Sequence, residues 1–185
     1  GYRVIACAGK TLPKNTWLYS QKVRREEVES NMEFLGFIIF QNKLKDATSP
    51  TLSKLKTANI RTVMCTGDNV LTAISVGKEC QLITEDRVYV PTVAYSDMTV
   101  QPVIHWNEIS NAEHILDTFT LQPIDDYSGP YTLAITGEVF RIIFSNQDNY
   151  SEEYVNEILL KGSIFARMSP DEKHELVKKK KKMDY

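Results

Sequence analysis

A hydroxyl, a glycine and a carboxylate directly follow an apolar run in the sequence R-T-V-M-C-T-G-D-N. We predict that Ile60–Cys65 is a strand and Asn69–Cys80 a helix, which places Thr66, Gly67 and Asp68 at the carboxyl end of the strand. Ligands gather at this edge of open α/β sheets. The hydroxyl can donate to a phosphoryl oxygen, the glycine permits close backbone approach, and the helix amides favour an anion. These residue types are also common in turns that bind nothing. The motif alone therefore does not decide between a phosphoryl-binding loop and a plain turn.

A second candidate lies in A-R-M-S-P-D-E-K-H-E-L-V. We predict a strand at Ser163–Met168 and a helix at Pro170–Lys182, which Ser169 can cap. Lys173 then lies near the helix start, at the same sheet edge as Thr66, where an ammonium can neutralise a phosphoryl group. Alternatively, Lys173 is a solvated lysine near a helix start that binds no ligand. The presence of Thr66 at the end of a second strand favours the interpretation of Lys173 as part of an anion site.

The elements around these motifs alternate between strand and helix, which predicts an α/β fold with a parallel sheet and helices on both faces. Four of the seven prolines lie between Pro91 and Pro130, so we interpret residues 83–130 as an insertion of short strands and loops. The remaining predicted elements are strands at Arg3–Ala8 (buried), Phe34–Phe40 and Tyr131–Ile135, a helix beginning near Asp46–Pro50, and helices at Glu138–Phe144 and Glu152–Leu160.

Composition sets further bounds. The 185 residues carry a formal net charge of −2, which gives no general attraction to nucleic acid. The longest apolar run, Phe34–Phe40, is too short to cross a bilayer. The odd number of cysteines predicts a reduced, cytosolic setting. The histidines lack the spacing of metal ligands, so we predict no metal site. The lysines of Lys178–Lys182 are interpreted as a solvated helix end, with contact to anionic lipid as the alternative.

The hydroxyl and lysine pair is the skeleton of haloacid-dehalogenase-type phosphotransferases. These enzymes also need a nucleophilic aspartate, in an Asp-x-Asp or Asp-Lys-Thr-Gly motif, and a later acidic motif for Mg²⁺. Neither is present: the only adjacent aspartates, Asp125 and Asp126, follow no apolar strand. The chain therefore holds half of such an active site.

The sequence resembles the cytosolic region of P-type ATPases, and most closely type V, subgroup B, the endolysosomal or vacuolar transporters of polyamines and cations. The resemblance covers essentially the whole chain, in order. It is carried by N-K-L-K-D-A-T, I-R-T-V-M-C-T-G-D-N-x-L-T-A-I-S-V-G-K-E-C, R-V-Y-V-P, Y-T-L-A-I-T-G-E-V-F-R, E-E-Y-V-N-E-I-L-L and A-R-M-S-P-D-E-K-H-E-L-V.

The resemblance implies a haloacid-dehalogenase-like fold in which residues 1–30 end a nucleotide-binding domain and residues 31–185 form most of a phosphorylation domain. It implies that Thr66, Gly67 and Asp68 contact the transferred phosphoryl group and that Lys173 contacts the phosphorylated aspartate. The implied ATP-binding residues are Arg3, Asn42 and Lys45. Most P-type pumps carry Asp-Pro-Pro-Arg at the positions of Asn42–Lys45, so Asn42 and Lys45 depart from that pattern, as is usual for type V.

The implied reaction is ATP-driven cation or polyamine transport through an aspartyl-phosphate, with Mg²⁺ and ATP as cofactors in the intact parent. We expect the nucleophile motif before Gly1, the Gly-Asp-Gly magnesium motif after Tyr185, and actuator and membrane domains elsewhere in a multi-pass protein of the vacuolar or endolysosomal membrane. The segment alone is expected to be monomeric and inactive.

Two other functions stay open at this point. A free-standing haloacid-dehalogenase-type phosphatase would need its own nucleophilic aspartate. A non-catalytic module that binds a nucleotide or a protein partner would need no such group.

Overall fold

The structure is a computed structural model that describes residues 2–12, 17–41, 43–95, 102–145 and 149–183. The chain forms two compact units, Tyr2–Lys43 and Leu44–Tyr185. We predicted a boundary near residue 30, ahead of the second strand. The second strand pairs with the first one, so both lie in the smaller compact unit, and the domain boundary near residue 30 stays a prediction. The assignment of the units to nucleotide-binding and phosphorylation domains stays a prediction.

The smaller unit is built on an antiparallel strand pair, β1 (Arg3–Gly9) and β2 (Glu33–Phe40). Between them lie two single-turn helices, α1 (Trp17–Ser20) and α2 (Arg25–Val28). The predicted strand at Arg3–Ala8 is confirmed as β1, but its predicted burial is wrong, because none of the described residues of this unit is buried. A two-stranded sheet has too little apolar surface of its own to form a core.

The larger unit contains a sheet of six strands, which are β3 (Met64–Cys65), β4 (Arg87–Ala94), β5 (Val103–Glu108), β6 (Ile115–Leu116), β7 (Tyr131–Thr136) and β8 (Gly162–Ala166). Their order in the sheet is β3-β8-β7-β4-β5-β6. The neighbouring strands from β3 to β4 in this order are parallel, whereas β5 and β6 run antiparallel to their partners. The helices are α3 (Thr48–Thr57), α4 (Val70–Glu79), α5 (Gly137–Ser145), α6 (Glu152–Lys161) and α7 (Pro170–Lys182).

Helices cover both faces of this sheet. Alternate residues of β8 point to opposite sides, so Ile164 packs in a cluster with α4, and Phe165 packs in one with α5, α6 and α7. Because β7 and β8 are buried on both faces, their sequences are nearly continuous apolar runs. The α/β class with helices on both faces is confirmed, and the arrangement is that expected of a haloacid-dehalogenase-like fold.

Two predictions about the sheet need correction. The short strands and loops predicted for residues 83–130 are present, and the interpretation of this region as an insertion stays a prediction. We predicted a parallel sheet, but β4 pairs in parallel with β7 and then continues into an antiparallel edge. The sheet is therefore mixed. The predicted strand Ile60–Cys65 is reduced to Met64–Cys65, because only these two residues pair with β8. No helix in the described part of the chain is both long and apolar enough to span a bilayer.

Candidate active site

The T-G-D loop leaves β3 and is tied by its backbone to the segment that follows β8. The Thr66 amide donates to the Phe165 carbonyl at 2.9 Å, and the Thr66 carbonyl accepts from the Met168 amide at 3.0 Å. The Asp68 carbonyl accepts from the Arg167 amide at 2.9 Å. These bonds continue the parallel pairing of β3 with β8, so the two chain segments that carry the predicted site residues lie side by side.

Side chains within the loop bind each other. The Thr66 hydroxyl donates to Asp68 Oδ2 at 3.0 Å and accepts from the Asp68 amide at 3.1 Å. The next residue, Asn69, caps α4 by accepting from the Leu71 amide at 2.8 Å. This local chemistry ends the loop and starts the helix, which leaves the positive end of α4 beside the T-G-D loop.

Gly67 faces open space. A Cβ atom built on it would meet no other atom within 4 Å. The fold therefore does not require a glycine here for packing, in contrast to Gly137 and Gly162, where a Cβ would come within 2.8 Å of other atoms. The free space beside Gly67 can accept an oxygen of a bound group.

Lys173 is carried by the first turns of α7. Ser169 accepts from the Glu172 amide while the Glu172 carboxylate accepts from the Ser169 amide, which is a complete capping box with Pro170 in the first turn. Burial raises the pKa of the Cys65 thiol, and the Lys173 charge opposes this by lowering it. The charge of Lys173 therefore acts at the end of β3, next to the T-G-D loop.

The other predicted site residues have different positions. Arg3 opens β1 in the smaller unit, opposite Phe40. Asn42 lies outside the described residues. Lys45 is exposed in the turn before α3, where its carbonyl accepts from the Thr48 amide. Their role in binding ATP stays a prediction.

Three residues of this region were missed. Arg167 adopts a left-handed backbone conformation with φ of 56°, which non-glycine residues adopt uncommonly and often near functional sites. Glu172 is buried and bonds to Arg141 of α5 at 2.6 Å. The S-x-x-E spacing of the capping box was a readable signal for Glu172. Nothing in the sequence links it to Arg141, which lies 31 residues away.

The loop and the start of α7 together offer a hydroxyl, an open glycine, a helix amino end and an ammonium, which suits a phosphoryl group. In the described ranges no three His, Cys, Asp or Glu side chains come together in a way that holds a metal.

Comparison with known proteins gives consistent matches over 100% of this chain. The vacuolar cation-transporting ATPase YPK9 of Saccharomyces cerevisiae is 61% identical over 193 aligned residues. The polyamine-transporting ATPase 13A3 of Mus musculus is 35% identical, and the probable cation-transporting ATPase 13A4 of Homo sapiens is 36% identical. The chain spans only 13% of the yeast protein and 16% of each of the other two. No protein-family model matches it.

Proposed function

Since this chain belongs along its whole length to the type V P-type ATPases, we propose that it is the part of such an enzyme that holds the transferred phosphoryl group. The single observation that carries the proposal is the backbone pairing of the T-G-D loop with residues 167 and 168. This pairing brings Thr66 and the helix that bears Lys173 to one sheet edge.

The complete enzyme would couple ATP hydrolysis to the transport of cations or polyamines through an aspartyl-phosphate. The names of the relatives support this, since they are cation- and polyamine-transporting ATPases and one of them is vacuolar. We assign the enzyme to subgroup B and to a vacuolar or endolysosomal membrane, with this chain on the cytosolic side and the nucleophile, actuator and membrane domains supplied by other parts of the polypeptide.

Each site residue has a role in this proposal. The Thr66 hydroxyl donates to a phosphoryl oxygen, and the space beside Gly67 accommodates that group. The Lys173 ammonium offsets the charge that the phosphoryl group brings to the attacked aspartate. The Asp68 amide positions the Thr66 hydroxyl oxygen by donating to it at 3.1 Å, and the Asp68 carboxylate accepts the hydroxyl proton at 3.0 Å until a phosphoryl oxygen replaces it.

The ATP-binding role of Arg3, Asn42 and Lys45 is proposed from the resemblance alone. A magnesium ion would neutralise phosphate charge in the intact enzyme. The described residues do not fit a magnesium site by themselves, so no step of the proposal passes through the metal.

The test exchanges the matching segment of the yeast vacuolar ATPase for this chain. We expect the chimera to form an acyl-phosphate from radiolabelled ATP, sensitive to hydroxylamine. Lys173→Ala should lower the rate of phosphoenzyme formation about 100-fold, because a preorganised charge is lost from the transition state. Lys178→Ala removes an exposed lysine of the same helix and serves as the control, with no change expected.

A Lys173→Ala chimera that is phosphorylated as fast as the unmodified chimera would refute the assigned role. A chimera that folds but forms no acyl-phosphate, beside an active host enzyme, would refute the proposed function itself.

A further inference from the structure

Glu172 is a buried carboxylate with only 7% of its surface exposed, in the first turn of α7. Both of its oxygens are bonded. Oε2 accepts from the Ser169 amide at 2.7 Å, and Oε1 accepts from Arg141 Nη1 at 2.6 Å. A buried charge costs free energy unless it is paired. The ion pair with Arg141 therefore offsets much of the cost of burying the Glu172 carboxylate.

We propose that Arg141 is a positioning residue for phosphoryl binding: by pairing with Glu172 it fixes the first turn of α7 and offsets the negative charge adjacent to Lys173. The inference rests on the proposed function, because it assumes that Lys173 binds the phosphoryl group. It adds a residue of α5, outside both motifs, to the machinery of this site.

The packing around Glu172 supports a fixed geometry. A Cβ at Gly137 would lie 2.4 Å from the Arg167 carbonyl oxygen and 2.8 Å from Glu172 Oε2, so the start of α5 packs tightly against both. Gly137 and Arg141 are four residues apart in α5 and therefore share one face of the helix. Through this face, α5 holds the loop after β8 and the start of α7 together.

The charges around Cys65 show why the pairing matters at the sheet edge. Burial is the largest influence and raises the pKa of the Cys65 thiol, the Lys173 charge lowers it, and the Glu172 charge raises it. Both charges therefore reach the end of β3. Without Arg141, the unpaired charge of the Glu172 carboxylate would repel a bound phosphoryl group and oppose the attraction that the Lys173 charge exerts on it.

Cys65 provides a direct readout of this effect. In the full chain with Cys7→Ser and Cys80→Ala, Cys65 is the only cysteine, and its alkylation by iodoacetamide reports its thiolate fraction. We compare the pH profile of alkylation for Arg141→Gln, Arg141→Lys and this background. Arg25→Gln is the matched control, since it removes an exposed arginine–glutamate pair in the smaller unit.

We expect Arg141→Gln to shift the pH profile of alkylation to higher pH. At pH values below the pKa of the thiol, the reaction should be about three- to tenfold slower. Arg141→Lys keeps the charge and should stay within about twofold of the background. Arg25→Gln should have no effect. Mere loosening of the fold would expose the thiol and make alkylation faster, so an unchanged or faster reaction in Arg141→Gln overturns the inference.

A second arm uses inorganic phosphate as the probe. Phosphate should protect Cys65 from alkylation in the background protein and at least about threefold less in Arg141→Gln. Equal protection in both overturns the inference and leaves the proposed function standing. Protection in neither protein counts against phosphoryl binding at Lys173 itself, and overturns both.

Discussion

The Thr66 hydroxyl already has a partner in this structure, because its proton points to Asp68 Oδ2 at 3.0 Å. A hydroxyl donates only one hydrogen bond at a time. To bind a phosphoryl oxygen it must therefore turn away from Asp68, while it continues to accept from the Asp68 amide at 3.1 Å. The exchange of one acceptor for another keeps the loop conformation intact, so phosphoryl binding here needs no rearrangement of the backbone.

Lys180 gives a pH-dependent prediction at the same scale. Its ammonium donates to the Leu159 carbonyl at 2.6 Å, and burial, with a smaller contribution from the Arg61 charge, lowers the pKa of Lys180 from 10.5 to about 8. The unfolded chain keeps this proton up to about pH 10.4. Between these values the unfolded state binds more protons, so the free energy of unfolding should rise with pH through this window.

We expect Lys180→Met to remove this rise. Urea denaturation between about pH 7.5 and pH 10 measures the free energy of unfolding for the chain, Lys180→Met and the exposed control Lys178→Met. The difference between the chain and Lys180→Met should grow in favour of the chain as pH increases. Parallel pH profiles for these two proteins would show that Lys180 titrates as an ordinary exposed lysine.

At the scale of elements, α7 serves both the site and the fold. Its lysine run is not a uniform solvated patch. Lys179 Nζ lies 3.7 Å from Glu175 Oε1 and 5.6 Å from the centre of the Phe144 ring. Lys180 Nζ donates to the carbonyl of Leu159 in α6. Lys178, Lys181 and Lys182 are the exposed members. The prediction of a solvated helix end is therefore correct for only part of the run.

The junction between α6 and β8 depends on a glycine. A Cβ at Gly162 would lie 2.7 Å from the Ile158 carbonyl oxygen, the Ile135 side chain and the Phe165 ring. We expect Gly162→Ala to lower the free energy of unfolding by about 1–3 kcal/mol through overpacking. Gly67→Ala places its methyl group in open space and is the matched control, with a change below about 0.5 kcal/mol. Urea denaturation measures both.

In the chimera, Gly67→Ala should nevertheless slow phosphoenzyme formation, because the methyl group occupies the space assigned to the phosphoryl group. If Gly162→Ala and Gly67→Ala lowered the free energy of unfolding equally, this would contradict our distinction between the two glycines. Gly162 would then be no more important for packing than Gly67.

At the scale of the whole molecule, the two units differ in how well they can stand alone. All buried core residues belong to the larger unit among the residues that the structure describes. The smaller unit exposes large apolar side chains on both strands, including Val4 of β1 and Phe34 and Ile39 of β2. A two-stranded sheet of this kind is marginally stable by itself, so we expect its amides to exchange fastest in the isolated chain.

The isolated chain should neither hydrolyse ATP nor become phosphorylated. Its 185 residues contain no Asp-Lys-Thr-Gly or Asp-x-Asp motif to supply the nucleophile. Incubation with radiolabelled ATP, and with small phosphate esters as phosphatase substrates, measures both activities. The chimera with the yeast protein is the positive control. A stable acyl-phosphate on the isolated chain, or rapid ester hydrolysis, would instead support a self-sufficient phosphotransferase or phosphatase.

Local chemistry in the sequence determined much of the site. The start of α4 after Asn69 and the start of α7 after Ser169 are encoded by neighbouring residues, whose side chains satisfy the first helix amides. The apolar runs of β7 and β8 are likewise local signals of buried strands. These patterns sufficed to place Thr66 at the end of one strand and Lys173 at the start of the helix that follows another, and therefore at one edge of the parallel part of the sheet.

Tertiary structure alone decided the rest. The place of β4 beside β7 in the sheet depends on pairing between residues about 44 positions apart, which no local pattern records. The shortening of β3, the burial of Lys180 and the pairing of Arg141 with Glu172 have the same origin. Each depends on which distant group comes close after folding, because desolvation and ion pairing act through space and not along the chain.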